Sequence, residues 1–339
     1  MRASAYDSAI GGRLVGCEQY RPASQSGERL RASYTFCTPV ICPLYKEKSV
    51  LAHVILRLQD AALMPDIRDA LRHMAVYDED CGTRWETTLS AIRQILGGAA
   101  DVIAPFAAAW SLMYAASKRL DHLQDGDPVD DPLPTVDRLN AQYNLVFGYF
   151  VLAEGLLDLL PADRIPAHRI SCVRRLWTDT LLRMAAGQQR DLIARGDGCE
   201  ESPLEYYQQL AQAKTGATFA LAFGGVATLL TDDIRVIDTL TSIGEIFGTL
   251  LQYSDDLLDA STQHNVTLTL PTALRLVRPT HLSDRTGHTP DAFWAYLYRI
   301  YKEQVVHTLA GMSVDAQQQI LDLFASTFEV PQHCVRDAS

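Results

Sequence analysis

The sequence is short of positive charge and short of chain breakers. Thirty Lys and Arg stand against 41 Asp and Glu, a net charge of −11 that argues against a nucleic-acid backbone as the main partner. Only 20 glycines and 15 prolines interrupt 339 residues that are 47% apolar, which excludes a disordered, collagenous or loop-rich secreted chain. Cysteine occurs seven times, an odd number at wide spacing with no CxxC pair. Neither a disulfide framework nor a Cys-based zinc site is expected, and the thiols read as reduced ones in a cytoplasmic protein. Met1 to Tyr20 contains no apolar run of the kind that a signal peptide needs. The longest apolar stretch, Gly216 to Leu230, has about 15 residues, short of the ~20 that span a membrane, and reads as a buried core helix. Strict alternation of β-branched residues is missing, so no sheet is expected.

What is present is helical period. From about Ser49 onward, apolar residues recur every three or four positions over 49–63, 65–76, 84–97, 100–125, 135–160, 166–195, 203–213, 214–230, 232–259, 267–277, 290–311 and 314–327. Breakers fall between these segments, at Gly97-Gly98, Asp127-Pro128, Pro161, Gly196 to Gly198, Pro203, Pro271 and Pro279. Several segments are far longer than an average globular helix, as when long antiparallel helices enclose a deep cavity. The expectation is one all-α domain over 48–339. Residues 1–47, rich in Ser, Arg, Tyr and Pro and without period, read as a poorly ordered extension.

The excess of acid is partly gathered. Asp121 and Asp125 are four apart at the end of a helix, where both like-charge repulsion and the macrodipole disfavour them. A compensating cation is expected, although an acidic helix end running into a solvated loop accounts for the spacing equally well. The second group, Asp255-Asp256-Leu257-Leu258-Asp259, ends a mostly apolar helix. Counting back from Asp255 gives Leu251, Gly248 and Gly244, an inward-facing row, with Asp259 continuing it. Buried carboxylates need partners, and a hard divalent cation such as Mg²⁺ with phosphate oxygens is the common enzymatic one. On the first helix, Ala107, Trp110, Tyr114 and Ser117 lead into Asp121 and Asp125. Such a row suits an apolar tail that ends in a charged head.

At these positions the sequence resembles the trans-isoprenyl diphosphate synthases, the polyprenyl synthetase family, over roughly residues 75–275. Asp121-His122-Leu123-Gln124-Asp125 stands where the family has DDxxD, with His in second place. Met184 to Leu192 looks like the GMVGGQxxDL segment, and Lys214-Thr215-Gly216 matches KTG. Gln252-Tyr253-Ser254-Asp255-Asp256-Leu257-Leu258-Asp259 is similar to FQxxDDxLD, and Thr269-Leu270-Pro271 to TLP. The resemblance implies the isoprenoid-synthase fold, with two Asp-rich motifs facing across a cavity and usually three Mg²⁺ between them. It implies metal ligands at Asp121, Asp125, Asp255, Asp256 and Asp259, and diphosphate or metal contacts from Lys214, Arg84, Gln188 and Gln252.

The departures set the functional expectation. Aligned without a gap, Asp130 and Asp131 stand where the family carries two arginines. The GKRxRP segment reads Gly82-Thr83-Arg84-Trp85-Glu86-Thr87, which keeps only Arg84. Tyr114 replaces a His, and 263–267 lacks the usual Lys. Each lost cation forfeits roughly 1.5–3 kcal/mol of charge-assisted bonding, so a second diphosphate should bind poorly. The expectation is therefore a Mg²⁺-dependent terpene synthase, a lyase that ionises one prenyl diphosphate, with diterpene size favoured by the small residues Ala115, Ala116 and Ser117. Trp110, Tyr114, Phe147, Phe219 and Phe223 are candidate aromatic walls, although core packing accounts for each. The alternative is a trans-prenyltransferase making geranylgeranyl- or farnesyl-type diphosphates from isopentenyl diphosphate; a third reading is a non-catalytic subunit of an active synthase. Expected partners are a prenyl diphosphate substrate, a second copy as a homodimer, and an upstream cyclase or prenyl diphosphate synthase. Nucleic acid and a membrane span are not expected.

Overall fold

The computed structural model describes residues 53–54, 57–58, 67–72, 83–126, 138–197, 203–259, 269, 273 and 290–328. The extension expected over 1–47 and most of the segment 267–277 lie outside them. Nine α-helices can be bounded among the described residues, further helical pieces lie at 53–54, 57–58, 67–72 and 273, and no strand occurs among them, as the periodicity predicts. They are α1 (Thr83–Ile95), α2 (Ala100–Asp125), α3 (Arg138–Leu156), α4 (Ala167–Asp197), α5 (Pro203–Ala211), α6 (Ala217–Leu230), α7 (Ile234–Asp259), α8 (Pro290–Thr308) and α9 (Val314–Thr327).

α6 is the axis of the core. Every residue from Ala217 to Leu229 is buried, because α7, α4, α1 and α2 all pack against it. A helix that is apolar on all sides has no other stable place in a protein surrounded by water. Above it, Trp85, Trp110, Tyr114, Phe219 and Phe247 form one aromatic cluster with mostly edge-to-face contacts, Trp85 and Phe219 at 4.8 Å between centroids. Rings in such contact add about 0.5–1.5 kcal/mol per pair to the gain from burial. The Trp110 indole donates to the Thr218 carbonyl (2.8 Å), which fixes α2 against α6.

One boundary differs from the sequence pattern. Separate helices are predicted over 203–213 and 214–230, whereas the chain runs as one helical rod from Pro203 to Leu230 with a single π turn, Gln212–Gly216, inserted in it. No proline stops the rod, and Thr218 Oγ1 donates to the Lys214 carbonyl (3.0 Å), so the widened turn keeps that acceptor occupied. This rod is long and apolar enough to cross a membrane, but 78% of its most apolar window is buried inside the protein.

Two glycines set the spacing of α6 and α7. A Cβ on Gly248 would run into the Thr215 carbonyl oxygen, and one on Gly244 into that of Phe219. The expected inward row of Gly244, Gly248 and Leu251 is thus present, and its function is close approach of two backbones. At the C-terminus of α2, Gly126 adopts φ +77° and returns its N–H to the His122 carbonyl. This left-handed stop ends α2 immediately after Asp125. Phe147 on α3 is 67% exposed, on a face it shares with Asn140, Asn144 and Glu154, and it is not among the residues that line the cavity described below.

Gly248→Ala is expected to destabilise the fold by about 1–3 kcal/mol in urea unfolding, since the added methyl has no room. Gly311→Ala, where a Cβ meets nothing within 4 Å, should stay within about 0.5 kcal/mol. Equal stabilities for the two variants would contradict the close packing of α6 and α7.

Candidate active site

A cavity of about 350 Å³ opens between α2, α3, α4, the π turn and α7. Its apolar lining comes from Tyr114, Leu120, Phe150, Leu181 and Met184. Its polar lining, here the polar wall, comes from Ser117, Lys118, Asp121, Gln188, Lys214, Thr215 and Gln252. The row read from the sequence, Tyr114, Ser117 and Asp121, therefore does line a cavity. Trp110, Phe219 and Phe223 are core residues beneath it, and Phe150 takes the place expected of Phe147.

Lys214 is the centre of the polar wall. Its Nζ donates to Asp121 Oδ1 (2.9 Å) and Asp191 Oδ2 (3.1 Å). Burial works against the Lys214 ammonium, yet the two carboxylates outweigh it and hold its pKa above the ordinary lysine value. Asp121 behaves conversely: burial pushes its pKa up, but Lys214, Gln188 and Lys118 pull it below the usual carboxylate range. The cation that an acidic helix end calls for is, in this structure, the protein's own Lys214. Gln188 adds hydrogen bonds to Asp121 Oδ1 (2.8 Å) and Gln124 Oε1 (2.9 Å).

The second carboxylate group is built differently from expectation. Asp256 is the more deeply buried, at 8% exposure, while Asp255 is half-buried. The reason is α5, which packs against this end of α7 and brings Tyr207 beside Asp256. The Tyr207 hydroxyl donates to Asp256 Oδ2 (2.5 Å), and Gln252 Nε2 to Asp256 Oδ1 (2.8 Å). Thr215 Oγ1 donates to Gln252 Oε1 (2.5 Å), which joins α7 to the π turn. Tyr207 stacks on Tyr253 at 5.4 Å. Burial, reinforced by Asp256, raises the Tyr207 pKa well above that of a free phenol, and burial does the same for Tyr253.

Of the residues expected at the site, Asp121, Gln188, Lys214 and Gln252 meet at one cavity. Asp125 lies one turn beyond Asp121, and Asp255 stands next to Asp256. For Asp259 and Arg84 only the helical backbone is described, in the last turn of α7 and the first of α1. Among the described residues no three Asp, Glu, His or Cys side chains are placed to hold a metal by themselves. An all-oxygen donor set of separated carboxylates still suits Mg²⁺, which keeps several waters and commonly completes its shell with substrate phosphates. Sequence reasoning missed Lys118 and Tyr207, which fall in no motif. Asp191 was visible within its motif, without a role.

The polyprenyl synthetase family model matches residues 144–268. Nonaprenyl diphosphate synthase of Mycobacterium tuberculosis is 26% identical over 162 residues, 47% of this chain and 45% of that protein, so the match spans less than half of that relative. Geranylgeranyl pyrophosphate synthetase from Geoglobus acetivorans superposes with a TM-score of 0.65 at 18% identity, covering 83% of this chain and 97% of the other. Geranyltranstransferase from Thermotoga maritima gives 0.62 at 19% identity, over 82% and 94%. At such identities the structural likeness shows the fold, which is the isoprenoid-synthase fold, as expected.

These findings overturn the terpene-synthase expectation, since the matching proteins are synthases and transferases of prenyl diphosphates. That expectation tallied cations along an ungapped alignment. Asp130 and Asp131 lie outside the described residues. The tally also passed over Lys118, a cation on the cavity wall.

Tyr207 and Tyr253 should stay protonated until the protein unfolds. Their folded pKa values lie above the unfolded value of about 10, so their contribution to stability is intact below about pH 10 and lost as pH rises beyond it. Tyrosinate absorbance followed beside helical circular dichroism tests this. Ionisation of all 14 tyrosines before any loss of helix would contradict it.

Proposed function

We propose that the chain is a trans-prenyltransferase of the polyprenyl synthetase family, a reading supported by the family match over residues 144–268 and by the likeness to prenyl diphosphate synthases. It would join an allylic prenyl diphosphate to isopentenyl diphosphate, releasing pyrophosphate and lengthening the chain by one isoprene unit. The observation that carries this reading is Lys214, held charged between Asp121 and Asp191 where an apolar cavity meets a polar wall. An isoprenoid tail suits the apolar lining of Tyr114, Phe150, Leu181 and Met184, and a diphosphate suits the end that carries Lys118 and Lys214.

In this reading each residue has a task. Lys214 donates to the diphosphate, where negative charge grows as the allylic C–O bond breaks. Asp191 keeps the ammonium aimed and charged. The apolar lining excludes water, which would otherwise capture the allylic cation before a carbon–carbon bond forms. Tyr114 offers a ring face to that cation. The family generally uses Mg²⁺, and Asp121, Asp125, Asp255 and Asp259 would hold it. Bound there, it would supply the Lewis-acid charge that stabilises departing pyrophosphate.

The test is a product assay with labelled isopentenyl diphosphate, an allylic diphosphate and Mg²⁺. The expected result is label in a longer prenyl diphosphate. Consumption of the allylic substrate without incorporation of label would overturn the proposal. Lys214→Met is expected to lower kcat/KM by about a hundredfold or more, the loss typical of removing one donor to a developing anion.

A further inference from the structure

We propose that Tyr207 is a positioning residue of this site, acting through Asp256, Gln252 and Thr215 on the turn that carries Lys214. Four side chains from three elements form one directed chain. The Tyr207 hydroxyl on α5 and Gln252 Nε2 on α7 donate to the two oxygens of Asp256, at 2.5 and 2.8 Å. Gln252 Oε1 accepts from Thr215 Oγ1 at 2.5 Å, and Thr215 follows Lys214 on the π turn.

The direction of this chain follows from donor and acceptor types. An ionised carboxylate only accepts, so the amide of Gln252 must turn its nitrogen toward Asp256 and its oxygen toward Thr215. The hydroxyl proton of Thr215 is thereby committed to Gln252, which holds the π turn against α7. A π turn carries one residue more than its neighbours and lacks their regular hydrogen bonding, so it gains most from a bond outside the helix. Lys214 is aimed from that turn. Asp256, with both oxygens engaged by donors and 8% of its surface exposed, fixes the orientation of Gln252.

The inference rests on the prenyltransferase reading for its ligand, a Mg²⁺–diphosphate. Titration calorimetry of the full chain with Mg²⁺ and inorganic pyrophosphate therefore separates the two. Tyr207→Phe is expected to raise the pyrophosphate Kd about tenfold at saturating Mg²⁺, with the Mg²⁺ midpoint unchanged. Asp255→Asn should shift the Mg²⁺ midpoint to much higher concentration. Tyr149→Phe removes another buried hydroxyl, bonded to the Leu71 carbonyl in the core, and should leave the Kd within about twofold.

A Tyr207→Phe variant that binds like the wild type, or no worse than Tyr149→Phe, would overturn the positioning role. If Tyr207→Phe does not fold, Thr215→Val, which cuts the same chain at its other end, decides: a Kd equal to that of the wild type would likewise overturn it. Absence of Mg²⁺–pyrophosphate binding by the wild type would remove the prenyltransferase reading, and this inference with it.

Discussion

The site depends on keeping one ammonium group charged in a largely buried place. Lys214 does so because Asp121 and Asp191 reach it from two different helices, α2 and α4, while the π turn supplies the lysine itself. A buried charge without partners would lose its proton or unfold its surroundings. Three elements must therefore be placed to within a hydrogen-bond length of one another. That demand explains the glycines of α7: only a helix without Cβ atoms at 244 and 248 can bring its backbone onto the carbonyls of Phe219 and Thr215.

The same constraint orders the rest of the core. The aromatic cluster of Trp85, Trp110, Tyr114, Phe219 and Phe247 fills the space on the apolar side of the cavity floor, and its indole bond to Thr218 ties α2 to the rod that carries Lys214. Surface ion pairs such as Arg164–Asp101 and Arg169–Asp232 each tie a helix to a connecting segment at the periphery. With at least one exposed member in each pair, they contribute little to stability. Rigidity at the polar wall comes instead from bonds with buried members: Lys214 to Asp121 and Asp191, and Tyr207 to Asp256.

Much of this was legible in the linear chain. Helical period located the long helices, because apolar spacing follows from 3.6 residues per turn and is a local property. The row ending in Asp121 and the inward face of Gly244 and Gly248 were readable for the same reason. The terpene-synthase reading failed because it treated charge at aligned positions as charge at a site. Which side chains meet a cavity is decided by tertiary packing, which no helical period encodes. Phe147 failed because it was read as an aromatic residue alone: its helical neighbours Asn140, Asn144 and Glu154 are polar and share its exposed face.

The sequence by itself determined the all-α architecture, the long helices, the two Asp-rich helix ends and the lysine of the Lys-Thr-Gly element. Only the tertiary structure decided what those groups meet. Lys214 and Asp121 are 93 positions apart, and Tyr207 and Asp256 are 49 apart. Helix geometry says which way a side chain leaves its own axis, but which axis lies opposite is set by the packing of α5, α6 and α7. That packing turns an acidic helix end into the partner of an internal lysine, and a second acidic helix end into the support of a glutamine.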